Sequence, residues 1–225
     1  FVGGNPIGPV YAGECQKRHL GMDVNVFNSV GQPVTGEPGE LVCLSAHPSM
    51  PLGFWNDSDD TNYHSTYFAA YDNIWLHGDW VVLTDNGGMR FLGRSDATLN
   101  PAGVRIGTAE IYREVEKVSR VSECLVVGQE WAGDIRIIMF VVLESGLELS
   151  SELVNQIRKI LKVNASPRHV PAKIIHVTDI PRTKSGKIAE LAVREVIHGG
   201  VAKNIDSLVN PECLEQYRNL ELLKL

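Results

Sequence analysis

Gly93-Arg-Ser-Asp-Ala-Thr-Leu-Asn-Pro-Ala-Gly-Val-Arg-Ile-Gly107 is where the character of the chain changes. Before it, apolar and polar residues alternate in short runs broken by Gly and Pro, as half-buried strands and turns require. After it, apolar residues recur at helical spacing between continuous apolar runs. We therefore place a boundary near Asp96, dividing the chain into residues 1–95 and 96–225.

Working back from Gly93, Trp80–Leu83 and Met89–Leu92 flank Thr84-Asp-Asn-Gly-Gly88, which reads as a β-hairpin. Leu76-His-Gly-Asp79 is expected just before its first strand. Val24–Phe27 and Glu40–Leu44 are further strands, with a turn at Gly31-Gln-Pro33 between them. Asn56-Asp-Ser-Asp-Asp60 is a polar loop; it lacks the Gly and closing Glu of a calcium loop. The first part is thus β-rich.

Working forward, Thr108 is expected to cap a helix with Glu110 in its first turn and Ile111, Val115 and Val118 on one face. Cys124–Val127 and Ile135–Leu143 are strands. Ser150 caps a second helix whose buried side carries Leu153, Ile157, Ile160 and Leu161. Ala172–Val177 is a strand. A polar, mobile loop, Pro181-Arg-Thr-Lys-Ser-Gly-Lys187, leads to a third helix from about Ile188. Strands packed on helices make this a compact α+β unit.

The chain has 225 residues, 44% of them hydrophobic and 21% charged, which suits a soluble globular protein. Its net charge of −6 argues against a nucleic-acid binder, whose affinity rests on neutralised phosphates. The strongest apolar run, Ile135–Leu143, is far short of the ~20 residues of a membrane span. Phe1 stands first, with no signal pattern, so we expect a start inside a longer protein. Cys15, Cys43, Cys124 and Cys213 form no Cys-x-x-Cys pair and are expected as reduced thiols in a cytoplasmic protein. The seven histidines show no metal-ligand spacing, so no metal site is expected, and His77 and His169 are expected to have structural or supporting roles.

Four features could carry chemistry. Asp79, after Gly78, can accept bonds from neighbouring hydroxyls such as a ribose diol, or can simply form a turn. Arg94 offers a fixed fork of donors to a sugar or carboxylate, or makes a surface ion pair. Gly103 lets a ligand approach the backbone, and Arg105 can hold a phosphate. Lys187, after Gly186, places a compact charge on a long stem and can stabilise oxygens that gain charge in a transition state; alternatively it is only solvated.

In this order and spacing, the four segments resemble the adenylate-forming superfamily of acyl-CoA synthetases, adenylation domains and luciferases, along essentially the whole chain. The resemblance implies the β-rich end of a large AMP-binding domain (α/β) followed by a small, mobile α+β domain. It implies that Asp79 and Arg94 hold the ribose, that Arg105 lies by the nucleotide phosphate, that Asp96 is the hinge and that Lys187 is the adenylation lysine. Gly103 would lie near the pantetheine path. Arg158, Lys159, Lys162 and Arg168 are candidates for the CoA phosphates, Arg158 and Lys162 as i,i+4 neighbours. Three segments, Gly3–Pro9, Ser166–Pro171 and Asn204–Pro211, resemble one short-chain member more than its acetyl- and propionyl-activating relatives. The implied substrates and cofactors are ATP, CoA, Mg2+ and a small acid. The phosphate-gripping loop and the Mg2+ ligand of such enzymes are expected upstream, so this fragment alone is expected to be inactive. A short-chain acyl-CoA synthetase for another acid (acetyl or propionyl), a carrier-loading adenylation domain and a non-catalytic nucleotide-binding module are the competing readings.

Overall fold

In the computed structural model, residues 1–224 are described. They form two compact units, the first Phe1–Asp96 and the second from Ala97 onward. Each is described by itself.

The first unit contains β1 (Val2–Gly3), β2 (Lys17–Arg18), β3 (Val24–Phe27), β4 (Pro38–Cys43), α1 (Thr61–Tyr67), β5 (Trp75–Leu83) and β6 (Met89–Arg94). Strands β3 to β6 make an antiparallel meander in chain order. Its buried face holds Val24, Val26, Leu41, Cys43, Val81, Leu83 and Met89. The polar stretch Asn56–Asp60 is more than a loop. Asp57 is buried, and its carboxylate accepts from the backbone N–H of Asn62 (3.0 Å) and Tyr63 (2.7 Å). It thereby satisfies orphan donors of α1, a helix that the polar sequence Thr61-Asn-Tyr-His-Ser-Thr-Tyr67 did not announce. Tyr67 stacks on Trp75 with ring centres 3.7 Å apart, fixing that helix to the start of β5.

The second unit contains α2 (Thr108–Val115), β7 (Val121–Trp131), β8 (Asp134–Leu143), α3 (Ser151–Asn164), β9 (Lys173–His176) and α4 (Glu190–Ile197), then a run of 3-10 turns. Strand β8 is central, antiparallel to β7 and parallel to β9. Because side chains alternate along a strand, each strand serves both faces. Cys124, Val126, Ile137, Met139 and Val141 face α2 and α3 through Ile111, Val115, Leu153, Ile157 and Leu161. Leu125, Val127, Ile138 and Phe140 face α4 and the final segment through Val193, Val196, Leu214 and Tyr217. A sheet covered on both faces needs an unbroken apolar run, hence Ile137–Leu143.

Several local expectations change. Gly107, not Thr108, is the cap residue of α2; its N–H donates to the Glu110 carboxylate (3.2 Å), the half of a capping box that a glycine can make. Val118 lies beyond the helix but is still buried. Ser150 does cap α3, accepting from the Leu153 N–H at 3.2 Å. Helix α4 starts at Glu190 rather than Ile188. All four thiols are unpaired, and burial pushes Cys124 up to about 12 and Cys213 up to about 11, which makes them poor nucleophiles. No described helix is long and apolar enough to cross a membrane.

Candidate nucleotide site and catalytic loop

Leu76–Asp79 lies inside β5 rather than before it, and this changes how Asp79 is presented. On the hairpin, Asp79 stands opposite Arg94 of β6. Its carboxylate lies 2.7 Å from His77 Nδ1 on one oxygen, a contact too oblique for a straight hydrogen bond, and 3.8 Å from Arg94 Nη1 on the other. Arg94 also reaches Asp96 with Nε and Nη2, each at 3.3 Å, and donates to the His77 carbonyl at 3.4 Å. Burial opposes the Arg94 charge, but Asp96, Asp79 and Glu40 outweigh it and carry the guanidinium above its ordinary value. Sequence-adjacent Ser95 bonds to Glu40 of β4, tying the end of β6 back to the sheet. The hairpin thus brings Asp79, Arg94 and Asp96 together into one half-exposed polar cluster.

Gly78 makes this cluster possible. Its φ is +82°, and a Cβ there would lie 2.9 Å from Arg94 Nη2. Gly78→Ala is therefore expected to push the guanidinium off the cluster and to destabilise the first unit by about 1–3 kcal/mol. Denaturant titration followed by fluorescence would show it, because Trp55, Trp75 and Trp80 all belong to this unit.

His77 had no assigned contact in the sequence reading. The signal was available: residues i and i+2 on a strand share a face, and His77 and Asp79 are such a pair once β5 is extended back to Trp75.

In the second unit, Lys187 is exposed at the end of a tight hairpin turn. The turn is closed by the Thr183 N–H to the Lys187 carbonyl (2.8 Å), by the Lys187 N–H to Thr183 Oγ1 (3.1 Å), and by the Gly186 N–H to the Thr183 carbonyl (2.8 Å). Gly186 has φ +83°, the left-handed position of the turn. Arg182 donates to the Gly186 carbonyl (3.0 Å) and pairs with Glu123 of β7 (2.6 Å). A closed and braced turn replaces the expected mobile loop, while the lysine side chain itself stays exposed.

Arg105 is exposed, with Nε 3.3 Å from Thr98 Oγ1. Next to it, Ala102 and Gly103 both have positive φ, and the Ala102 N–H donates to the Asp134 carboxylate at 3.0 Å. Gly103 lines a cavity of about 610 Å3 with Asn100, Trp131 and Asp134. Arg158, Lys162 and Arg168 do not line that cavity. Arg158 is half-buried and donates to the Ala172 carbonyl at 3.1 Å, so it ties α3 to the residue before β9 rather than standing on an open basic face. Lys159, Lys162 and Arg168 are exposed. No group of three His, Cys, Asp or Glu side chains is placed to hold a metal among the described residues.

The first unit thus presents a carboxylate beside an arginine, and the second an exposed lysine on a braced Ser-Gly-Lys turn. Residues 113–187 match the AMP-binding enzyme C-terminal domain family, and the fold of the second unit is similar to the C-terminal domain of adenylate-forming enzymes. Along its whole length the chain is similar to acetoacetyl-CoA synthetases. It is 56% identical over 224 residues to acetoacetyl-coenzyme A synthetase of Rhizobium meliloti (strain 1021), covering 100% of this chain and 34% of that protein. It is 46% identical to acetoacetyl-CoA synthetase of Xenopus tropicalis, with the same coverage. The solved acetoacetyl-CoA synthetase from Streptomyces lividans matches with a TM-score of 0.93 at 41% identity, covering 100% of this chain and 34% of that one. The chain spans about a third of the length of the curated relatives it matches.

Proposed function

We propose that the intact protein joins acetoacetate to CoA using ATP, through an acetoacetyl-adenylate, in the cytoplasm. The observation that carries this reading is the exposed Lys187 on its braced turn, in a chain alike over its full length to acetoacetyl-CoA synthetases.

In the first half-reaction an acetoacetate oxygen attacks the α-phosphorus of ATP. The bond to the bridging β-phosphate oxygen breaks, and pyrophosphate leaves. The first unit supplies the end of the AMP-binding domain, where Asp79 accepts from the ribose hydroxyls, its other contacts leaving lone pairs free, and Arg94 holds the sugar edge. Arg105 faces the nucleotide phosphate. Lys187 offsets the approach of two anions and the charge that builds on the bridging oxygens. In the second half-reaction the CoA sulfur bonds to the acyl carbon, the carbon–oxygen bond to AMP breaks, and the thiol proton is released. Gly103 leaves room for the pantetheine, and Arg158, Lys162 and Arg168 serve the CoA phosphates, Arg158 with whatever donors its Ala172 bond leaves. ATP would arrive with Mg2+, whose ligand belongs, on this reading, to the rest of the longer protein.

Two half-reactions need two settings of the second unit, with a hinge at Asp96, the last residue of the first unit. Asp96→Pro is expected to slow thioester formation while adenylate formation continues. Because Asp96 also holds Arg94, Asp96→Ala is the control: it loses that contact but keeps backbone freedom, and single-turnover rates of both steps separate the effects.

The acid is tested by competition. With the intact protein, acetoacetate is expected to outcompete acetate and propionate for adenylate formation; preference for either rival would reassign the substrate.

A further inference from the structure

We propose that residues 204–224 are the mount of the catalytic turn, and that Asn210 is a positioning residue for Lys187; this rests on Lys187 being the adenylation lysine. The turn 182–188 contributes only its own few bonds, and a lone two-stranded hairpin is marginal in water. Beyond the Arg182–Glu123 pair, the final segment supplies further bonds. The Val209 N–H donates to the Arg182 carbonyl (2.9 Å), and the Lys184 N–H donates to the Ser207 carbonyl (2.8 Å). Asn210 uses both ends of its amide. Its Oδ1 accepts from the Arg182 N–H (2.9 Å), and its Nδ2 donates to the Ile180 carbonyl (3.0 Å) and to Asp179 Oδ2 (2.5 Å). Gln216 Oε1 accepts from the Thr178 N–H (2.7 Å), while its Nε2 and the Tyr217 hydroxyl both donate to the Asp179 carbonyl (2.8 Å each).

These bonds clamp the approach to the turn from residue 178 to residue 184. The clamp is itself rigid, because Leu208, Leu214 and Tyr217 are buried in the core beside Phe140. A segment that merely covered apolar surface would need those three side chains and nothing more. The Asn210 amide covers no apolar surface; it is spent on the backbone that leads into Lys187. Placement matters here, since about 1 Å of misplacement at a reacting centre can cost on the order of 10²-fold in rate.

The test is Asn210→Ala in the intact protein, with the two half-reactions measured separately. Acid-dependent ATP–pyrophosphate exchange is expected to fall on the order of 10²-fold. Thioester formation from supplied acetoacetyl-adenylate, and the KM for ATP, are expected to stay at the parent value. A structural role alone would lower stability and both half-reactions together. Lys187→Ala in the same assays separates the two levels. If it spares exchange or damages both steps alike, the reading of Lys187 fails. If it is selective while Asn210→Ala leaves exchange intact or damages both steps alike, the mount is refuted. Should Asn210→Ala fail to fold, Gln216→Ala, which removes the bonds at Thr178 and Asp179, carries the same expectation and the same refutation.

Discussion

Replacing Lys187 by alanine in the intact protein is expected to lower the rate of adenylate formation by about 10²–10³-fold, the usual loss when one preorganised charge-stabilising group is removed. Thioester formation from supplied acetoacetyl-adenylate is expected to continue at the parent rate. The selectivity follows from the chemistry. The first step drives a carboxylate against a triphosphate, and an ammonium lowers that repulsion. The second step has no carboxylate driven against a triphosphate: the sulfur adds to the acyl carbon and AMP leaves, and with the second unit at the other setting proposed above the ammonium takes no part. The backbone of the turn does not depend on the lysine side chain, since it is closed by Thr183, Gly186 and the Lys187 main chain. Loss of rate would therefore report chemistry rather than a collapsed turn. Equal loss in both steps would overturn the assignment.

Much of the second unit was legible because its signals are local and periodic. The near-continuous apolar runs at 124–127 and 135–143 marked the strands, and Ser150 with its apolar spacing marked α3. What was not legible depends on partners distant in sequence. Helix α1 has no buried residue and is held by one carboxylate, Asp57, and by stacking on Trp75, so no apolar period marks it. The backward extension of β5 to Trp75 was missed because Gly78, with φ +82°, reads as a turn, whereas the strand tolerates it to make room for Arg94. At the candidate site, the motif residues Asp79, Arg94 and Asp96 fall into one cluster. The bonds to residues 178–182, ahead of the turn, come from Asn210 and Gln216, more than twenty-five residues later, and local reading cannot see pairing of that kind.

Tyr217 is the single side chain on which the final segment depends most, and Tyr217→Ala is expected to destabilise the second unit by about 3–5 kcal/mol, as for other large aromatics cut back in a core. Tyr217 is fully buried and meets Phe140 edge-on with ring centres 4.8 Å apart. Burial pushes its phenol well above the ordinary tyrosine range, so the hydroxyl stays a neutral donor to the Asp179 carbonyl. Tyr217→Phe separates the two contributions. It keeps the ring and loses one hydrogen bond, worth about 1 kcal/mol, and the Asp179 carbonyl retains Gln216 as a donor. Packing should therefore account for most of the alanine effect. Helices α2, α3 and α4 all lie in the second unit, so unfolding followed by circular dichroism reports mainly on it. The alanine variant should show a clearly lower midpoint in that signal and the phenylalanine variant only a small shift. Equal shifts would place the stabilisation in the hydroxyl and not in the ring.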